Sequence, residues 1–306
     1  MYAVETKGLT KEYKTTLAVN KVDISVPIGC CCGFLGKNGA GKTTTIKMLT
    51  GLKKPTSGSI SIMGEPQAEG KRRYFGYLPD VPNYYEYMTG AEFLDYCAKL
   101  CDIPKEKRKA WVAELLRRVG LAKVRTRIAG YSRGMRQRLG IAQAMINSPK
   151  VIFMDEPVSA LDPMGRRDVV EIIKSLSDTT VIFSTHILAD VESVCDYILI
   201  MDKGKLLVQD YLTDIKKAHA NDSAIIRFFE PESGKQFMKQ AESMGNITSH
   251  ATSPVEFMLN NLSGTVKELS RQVNTILHQE NLAFEQFGLN KPTLEDIFYK
   301  VVEQNV

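Results

Sequence analysis

The sequence predicts an α/β core that contains a helical subdomain and is followed by a small C-terminal α+β domain. Short apolar segments alternate with helical patterns over residues 1–220, which is typical of a sheet covered by helices. A helical pattern replaces the strands over about residues 82–148, and strands and helices alternate again over residues 221–306. A chain of 306 residues has room for one large domain or two smaller ones, and its 43% hydrophobic side chains suffice for a packed core, which excludes a disordered or fibrous protein.

Four apolar segments are predicted to be core strands. Each segment is nearly continuous in apolar residues, as expected for a strand that is buried on both faces of a sheet. The four segments are residues 30–35, 151–154, 181–184 and 197–201.

The segment between residues 89 and 149 is predicted to be helical. Its apolar residues recur at the i, i+3 and i+4 spacing of one helix face. They are Phe93, Tyr96 and Leu100, and then Leu115, Leu116 and Val119.

The tail is predicted to be a separate small domain. The stretch at residues 219–223 marks the boundary, which gives domains at 1–220 and 221–306. The predicted strands are residues 224–229, 247–251, 255–260 and 282–287, and the predicted helices are residues 233–244, 264–278 and 293–303. No cluster of residues in the tail suggests chemistry.

Membrane insertion and secretion are not indicated. No segment approaches the roughly 20 apolar residues that a membrane span needs, and the N-terminus has neither the basic nor the apolar region of a signal peptide. The six cysteines are therefore expected to be core thiols. Metal ligation by Cys97 and Cys101, one helical turn apart, is the alternative, although no His or Cys pair nearby completes such a site.

Charge is distributed unevenly along the chain. The net charge is +5, but residues 1–220 hold 33 Lys and Arg against 24 Asp and Glu, whereas residues 221–306 hold 7 against 11. This asymmetry indicates two units with different surfaces. The basic body is suited to face anionic lipid, nucleic acid or nucleotide, and a solvated surface is the plain alternative.

A glycine-rich loop follows the first predicted core strand. It matches G-x-x-x-x-G-K-[ST] and leads into a predicted helix over residues 44–49. Its glycines allow successive backbone N–H groups to point at phosphate oxygens, and the helix N-terminus adds partial positive charge. Lys42 is expected to reach the β- and γ-phosphates, and the Thr43 hydroxyl to coordinate Mg²⁺. The predicted nucleotide-binding residues here are Gly36, Lys37, Asn38, Gly39, Ala40, Gly41, Lys42, Thr43 and Thr44.

The second predicted core strand ends in two carboxylates, Asp155 and Glu156. An apolar strand with terminal acids is common by itself, but beside a phosphate loop it predicts a Mg-ATP hydrolase. Asp155 is then the Mg²⁺ partner. Glu156 is the group that orients or deprotonates the attacking water.

Further ordered motifs, from residue 1 to about residue 215, resemble those of the ATP-binding cassette (ABC) ATPases. Residues 131–135, Y-S-R-G-M, resemble the family signature L-S-G-G-Q, and residues 159–162, S-A-L-D, resemble the D-loop. Residues 184–186, S-T-H, resemble the switch-histidine segment, and Tyr13 resembles the aromatic residue that stacks on adenine. The resemblance implies a P-loop ABC ATPase core.

The resemblance also implies roles for individual residues. Glu156 and His186 would be catalytic, with His186 contacting the γ-phosphate and holding the water. Tyr13 and Val19 would contact ATP in addition to the phosphate loop. The signature residues Ser132, Arg133, Gly134 and Met135 would bind ATP across a dimer, and Asp162 would belong to the D-loop.

The signature residues also predict an anion-binding site from their position at the start of a helix. Ser132 precedes a helix whose apolar residues share one face, so its hydroxyl and the helix dipole form a second anion site. Those apolar residues are Met135, Leu139, Ala142 and Ile146. In the family, two cassettes pack head to tail, and each ATP lies between one phosphate loop and the partner's signature. An ordinary helix cap is the alternative for Ser132.

Three residues depart from the family pattern. Asp80 stands where the family usually has glutamine, and it is a candidate Mg²⁺ ligand that adds negative charge near the triphosphate. Arg133 replaces the first signature glycine, and Met135 replaces the glutamine. These departures bear on the rate of hydrolysis and not on the placement of the motifs.

Two segments resemble parts of transporter ATPases. Residues 82–148 resemble the subdomain that contacts membrane subunits, and their basic stretch at 99–127 carries 10 Lys and Arg against 3 Asp and Glu. Such a surface suits membrane-subunit loops or anionic headgroups, with a solvated face as the alternative. Residues 291–298, K-P-T-L-E-D-I-F, resemble the C-terminal extension of ABC-2 type exporter ATPases, which would support dimerisation or regulate the cassette.

The leading hypothesis is the ATP-binding and hydrolysing subunit of a bacterial ABC exporter. The resemblance implies ATP and Mg²⁺ as cofactors, a homodimer or heterodimer with a second cassette, and a separate transmembrane permease subunit. The expected location is cytoplasmic and peripheral, at the inner face of the cell membrane.

The alternative is a soluble ABC ATPase acting on nucleic acid or the ribosome. It is disfavoured because the chain has no long coiled coil or second cassette and its tail is acidic, so no nucleic acid partner is expected. The signature and D-loop disfavour a metabolic kinase.

Overall fold

The chain forms two compact units, one built mainly from Met1–Leu212 and the other from Thr213–Lys300. The structure, a computed structural model, describes residues 1–67, 75–159, 161–219, 223–243, 247–261, 266–289 and 292–303. Residue 160 of the D-loop and residues 220–222 of the expected domain boundary lie outside the described residues, so the boundary at residue 220 stays a prediction.

The secondary structure follows the predicted alternation of strands and helices. The strands are β1 (Tyr2–Tyr13), β2 (Thr16–Val22), β3 (Ser25–Pro27), β4 (Cys31–Leu35), β5 (Ser57–Ile62), β6 (Glu65–Pro66), β7 (Phe75–Leu78), β8 (Val151–Asp155), β9 (Thr180–Thr185), β10 (Tyr197–Asp202), β11 (Lys205–Tyr211), β12 (Ser223–Phe228), β13 (Ile247–Ala251), β14 (Glu256–Asn261) and β15 (Phe284–Leu289). The helices are α1 (Lys42–Leu49), α2 (Gly90–Leu100), α3 (Lys105–Arg118), α4 (Arg133–Ala144), α5 (Pro163–Lys174), α6 (Leu188–Val194), α7 (Leu212–His219), α8 (Pro231–Ser243), α9 (Val266–Gln279) and α10 (Leu294–Glu303).

A mostly parallel sheet forms the centre of the first unit. Its strand order is β11-β10-β4-β9-β8-β7, and only β11 runs antiparallel to its neighbour among the described strands. The four predicted core strands are confirmed as β4, β8, β9 and β10, with bounds within one residue. Because parallel strands end at the same edge of a sheet, the loops after β4, β7, β8 and β9 come together there.

A second, antiparallel sheet covers one side of this core. Its order is β2-β1-β5-β6, with β3 also paired to β1. The apolar segments picked out from the sequence did not include these strands, because they are only half buried and polar side chains interrupt them. Residues of both sheets and of α1 share one core, among them Val4, Leu9, Phe34, Ile46, Phe153 and Ile182.

The predicted helical subdomain consists of α2, α3 and α4. Helix α2 begins at a capping box in which Thr89 accepts from the backbone N–H of Glu92 and the Glu92 side chain accepts from the N–H of Thr89. Its buried face holds Phe93, Leu94, Cys97 and Ala98. Leu100, which the periodicity placed on the apolar face, is 67% exposed because α2 ends there.

The second unit is a small α+β sandwich. Its antiparallel sheet has the order β13-β14-β12-β15, and α8 and α9 supply the other layer of its core. The strand and helix succession β12-α8-β13-β14-α9-β15 is the ferredoxin-like arrangement. The seven elements predicted for the tail are confirmed, with bounds that differ by at most two residues. Within the described ranges, no helix of either unit has the length and apolar character required to cross a bilayer.

Candidate nucleotide site

The phosphate loop has a backbone that requires its glycines. Gly39 and Gly41 have φ angles of 83° and 107°, which side-chain-bearing residues rarely adopt. A Cβ atom on Gly41 would lie 2.5 Å from the backbone oxygen of Ala18. Gly41 is also the N-cap of α1, and no side chain caps that helix. The first N–H groups of α1 are therefore available for an anion such as phosphate.

Lys42 lies inside the curl of this loop. Its side chain is only 6% exposed, and its Nζ donates to the backbone oxygen of Gly36 at 2.7 Å and to that of Lys37 at 3.3 Å. Burial lowers the pKa of Lys42, while the nearby carboxylates of Glu156 and Asp155 oppose the shift. The loop carbonyls thus hold the Lys42 ammonium group inside the phosphate loop.

Asp155 is fixed by two hydroxyl groups. It is 1% exposed, and its Oδ1 accepts from Thr43 Oγ1 at 2.9 Å and from Ser184 Oγ at 2.7 Å. Ser184 was not assigned a role from the sequence, because its position depends on the pairing of β8 with β9. The only available signal was a polar residue at the end of an apolar strand.

The oxygen atoms around Asp155 fit a magnesium ion. Mg²⁺ prefers oxygen ligands and usually takes one or two carboxylates together with substrate phosphates. The Thr43 hydroxyl and the Asp155 carboxylate, 2.9 Å apart, are such donors beside the phosphate loop. The residues present therefore fit the group expected from the sequence.

Glu156 occupies a backbone conformation that its neighbours stabilise. Its φ angle is 48°, and its N–H donates to the backbone oxygen of Ser184 at 3.1 Å and to Ser184 Oγ at 3.0 Å. A non-glycine residue in this region is strained, and such strain is common at functional sites. The turn aims the Glu156 carboxylate at His186, whose Nδ1 is 3.0 Å from Glu156 Oε2.

The environment of Glu156 suits a proton acceptor. Burial raises the pKa of its carboxyl group, and the nearby His186 and Lys42 lower it again in part. The Lys42 ammonium is 3.9 Å from Glu156 Oε1. A carboxyl group with a raised pKa is a stronger base when ionised, as a general base near neutral pH should be.

The phosphate loop, Glu156 and His186 border one cavity of about 400 Å³, here called the nucleotide cleft. It is lined by Ala18, Asn38, Gly39, Ala40, Gly41, Lys42, Thr43, Thr44, Asp80, Glu156, Ser159 and His186. Asp80, the candidate metal ligand from the sequence, faces this cleft and accepts from Ser159 Oγ at 3.3 Å. The cleft therefore brings together the ends of β4, β7, β8 and β9.

Two residues that the sequence predicts to contact ATP, Val19 and Tyr13, are not among those that line the cleft. The side chain of Val19 is fully buried in the core, and Ala18 lines the cleft instead. The two residues differ because successive side chains of a strand point to opposite faces, and the ATP contact of Val19 stays a prediction. Tyr13 does not line the cleft. It ends β1, is 38% exposed, and has the Nζ atoms of Lys11 and Lys53 each 5.4 Å from its ring centroid.

The signature residues form a separate surface. Ser132 caps α4 as predicted, with its hydroxyl accepting from the N–H of Met135 at 3.2 Å, and Ser132 and Arg133 are exposed. Asp162 caps α5 by accepting from the N–H of Gly165 at 3.2 Å. In the part of the chain that the structure describes, neither the signature nor Asp162 lines the cleft.

The fold and the cleft define a P-loop ATPase with a helical subdomain. Residues 19–159 match the family model described as ABC transporter. The chain is 37% identical to the uncharacterized ABC transporter ATP-binding protein YxlF of Bacillus subtilis strain 168, over 97% of this chain and 98% of that one. It is 32% identical to the bacitracin transport ATP-binding protein BcrA of Enterococcus faecalis, over 98% and 96% of the two chains.

A solved structure of an ATP-binding subunit of an ABC transporter is also similar. Its TM-score is 0.64 at 32% identity, over 71% of this chain and 92% of that one. The chain belongs to the ABC transporter ATP-binding proteins, and it is an ATP-binding and ATP-hydrolysing subunit. The family and fold class predicted from the sequence are confirmed.

Proposed function

We propose that this subunit powers an exporter, with a separate transmembrane permease that carries the substrate. The relative named for bacitracin transport matches along nearly the whole chain, including the second unit. The subunit would then act peripherally at the inner face of the membrane.

The observation that carries the proposed mechanism is the contact between Glu156 and His186 in the nucleotide cleft, at 3.0 Å. Glu156 would accept the proton of the attacking water, and His186 would hold that water and the γ-phosphate in line. Lys42 and the N–H groups of α1 would bind the β- and γ-phosphates and offset their charge.

A magnesium ion would be held by Thr43 and Asp155, with Asp80 as a further ligand. When bound it would neutralise charge on the β- and γ-phosphates. Asp155 keeps its carboxylate directed at this position through Ser184, whose hydroxyl donates to it at 2.7 Å.

A second cassette would complete the site. The exposed cap of α4 offers a hydroxyl and helix N–H groups, and among the described residues the lining of the nucleotide cleft includes none of the signature. In a head-to-tail dimer the signature of each cassette would lie beside the nucleotide cleft of its partner. The residues Ser132, Arg133, Gly134 and Met135 would then face the partner's ATP. The partner would be a second copy or a sister chain.

Light scattering tests the dimer. With Mg-ATP, the Glu156→Gln variant should shift from the 34.2 kDa monomer to twice that mass. Adding Ser132→Glu should abolish the shift while nucleotide binding persists, because a carboxylate at the cap repels the γ-phosphate. A dimer that forms equally well with Ser132→Glu would contradict the head-to-tail arrangement.

Affinity purification from detergent-solubilised membranes tests the partner. The tagged Glu156→Gln subunit, purified with Mg-ATP, should bring down a protein with several membrane spans. Recovery of RNA whose binding weakens steeply with salt, without any membrane protein, would replace the exporter with a nucleic-acid function.

A further inference from the structure

Two cysteine thiols from distant parts of the sequence lie side by side in the first unit. Cys31 Sγ and Cys195 Sγ are 3.9 Å apart. Cys31 opens β4, and Cys195 is the C-cap residue of α6. The backbone holds the two segments together, because the Asp196 N–H donates to the oxygen of Cys31 at 2.9 Å and the Cys31 N–H donates to Asp196 Oδ2 at 3.1 Å.

The two thiols differ in accessibility. Cys31 is partly exposed, whereas Cys195 is 7% exposed. Burial raises the pKa of Cys195 well above its ordinary value. The neighbours Cys30 and Cys32 are buried as well, at 6% and 0%. Within this group a small oxidant in solution therefore reaches Cys31 first, since reactivity follows thiolate character and exposure.

We propose that Cys31 and Cys195 form a redox modification site whose oxidant is a hydroperoxide. The Cys31 thiolate attacks the terminal peroxide oxygen. The S–O bond forms, the O–O bond breaks, and the leaving oxide takes up a proton. The Cys195 sulfur then attacks the Cys31 sulfenic acid, the S–S bond forms, and the hydroxyl leaves as water with the Cys195 proton. Two thiols and one hydroperoxide thus give a disulfide, water and the reduced alcohol or second water.

The disulfide would join two elements that lead to the nucleotide cleft. Strand β4 runs into the phosphate loop, and α6 begins two residues after His186. Gly33 in β4 already packs against α6, because a Cβ there would lie 3.1 Å from Cys195 Sγ. Tying the end of α6 to β4 restrains the segment that carries His186, so oxidation should slow turnover more than ATP binding. In reducing compartments, disulfides of this kind are usually transient or redox-sensing.

The test is peroxide oxidation of the full chain followed by alkylation, digestion without reductant and mass spectrometry. The peptide that contains residues 30–32 should be joined to the peptide that contains residue 195, at a mass two hydrogens below their sum. The kcat for ATP should fall by about threefold or more and recover with dithiothreitol.

Two matched variants assign the effect. Cys31→Ser should prevent the linkage and keep its kcat under peroxide, whereas Cys30→Ser should behave like the unaltered chain. Cys30 is a strict control, because it lies in the same peptide and its Sγ donates to the backbone oxygen of Pro27 at 3.2 Å. Absence of the linked peptide, or equal peroxide inhibition of Cys31→Ser, would overturn the proposal.

Discussion

The two units of the molecule bury different kinds of side chain. In the first unit, Lys42 and Asp155 are 6% and 1% exposed. Among the described residues of the second unit, the buried side chains are apolar apart from Ser223. Burial of a charge is costly unless the charge is paired and hydrogen-bonded, so the first unit retains groups that stability alone would not select.

The partners of those buried charges explain why they persist. Lys42 donates to two loop carbonyls, and Asp155 accepts from Thr43 and Ser184. Lys42 lines the nucleotide cleft, and Asp155 is joined to it through Thr43, which also lines the cleft. The chemical groups are therefore concentrated in the first unit, whereas the second unit is stabilised by an ordinary apolar core.

The largest effect is expected from Glu156→Gln. Glutamine keeps the shape of the side chain and a contact to His186, but it cannot accept a proton. The kcat for ATP hydrolysis should fall by about 10²–10⁴-fold, the range for loss of a general base. A phosphate-release assay measures it, and fluorescence titration should show that ATP binding is kept. Turnover unchanged from the unaltered chain would remove Glu156 from the mechanism.

The next largest effect is expected from Lys42→Ala. A charged hydrogen bond contributes about 1.5–3 kcal/mol, so ATP affinity should fall by roughly 10- to 150-fold. Lys47→Ala is the matched control, because Lys47 lies on the same helix and does not line the cleft. Equal losses in the two variants, measured by nucleotide titration, would show a nonspecific charge effect.

The pH dependence of turnover probes the same cleft with a smaller change. Only the ionised Glu156 accepts a proton, and burial raises its pKa, so kcat/KM should fall on acidification at a higher pH than for an ordinary glutamate. His186 lowers that pKa, so His186→Ala should move the acidic limb to still higher pH. Rate profiles measured at constant ionic strength decide this, and a limb that moves to lower pH would contradict the assignment.

Local patterns predicted the phosphate loop and the four core strands, but long-range contacts decided the rest of the site. The loop from Gly36 to Thr44 is a contiguous motif, and its conformation follows from its glycines. Ser184 supports Asp155 only because β9 pairs with β8. Whether Ala18 or Val19 faces the cleft depends on which side of β2 lies against it, and no local sequence pattern determines that orientation.

The strands of the antiparallel sheet in the first unit were likewise not predictable from local sequence patterns. Its strands are half buried, so their sequences lack the continuous apolar character that identified β8 or β10. In the second unit, strands and helices were predictable from their patterns. The strand order β13-β14-β12-β15 was not, because it depends on pairing between segments distant in sequence.

A smaller effect on ATPase activity is expected from a change at Asp80, which departs from the family pattern. In Asp80→Gln, the new amide oxygen can still accept from Ser159, and one negative charge leaves the cleft. ATPase activity should stay within about twofold of the unaltered chain or rise, since no buried network is broken. Asp80→Ala, which removes the acceptor, is the comparison. Complete loss of activity in Asp80→Gln would show that the carboxylate itself is required.

The smallest effect is expected in the second unit, from Glu256→Gln. The Arg227 side chain and the Thr252 hydroxyl lower the pKa of Glu256, so its folded pKa lies below the unfolded one. Its stabilising contribution is present above the unfolded pKa and is lost as pH falls through the folded pKa. The Arg227 and Glu256 side chains are 43% and 22% exposed, so solvent screens the ion pair and its contribution is small.

The Glu256→Gln variant should therefore melt slightly below the unaltered chain at neutral pH and at the same temperature in strong acid. Its rate of ATP hydrolysis should equal that of the unaltered chain throughout the time course of the assay. Glu232→Gln, at the start of α8, is the control for loss of an acidic charge. A clear loss of hydrolysis in Glu256→Gln, with Glu232→Gln unaffected, would contradict the conclusion that the chemistry depends on the first unit alone. The ion pair of the second unit would then act on the chemistry of the first.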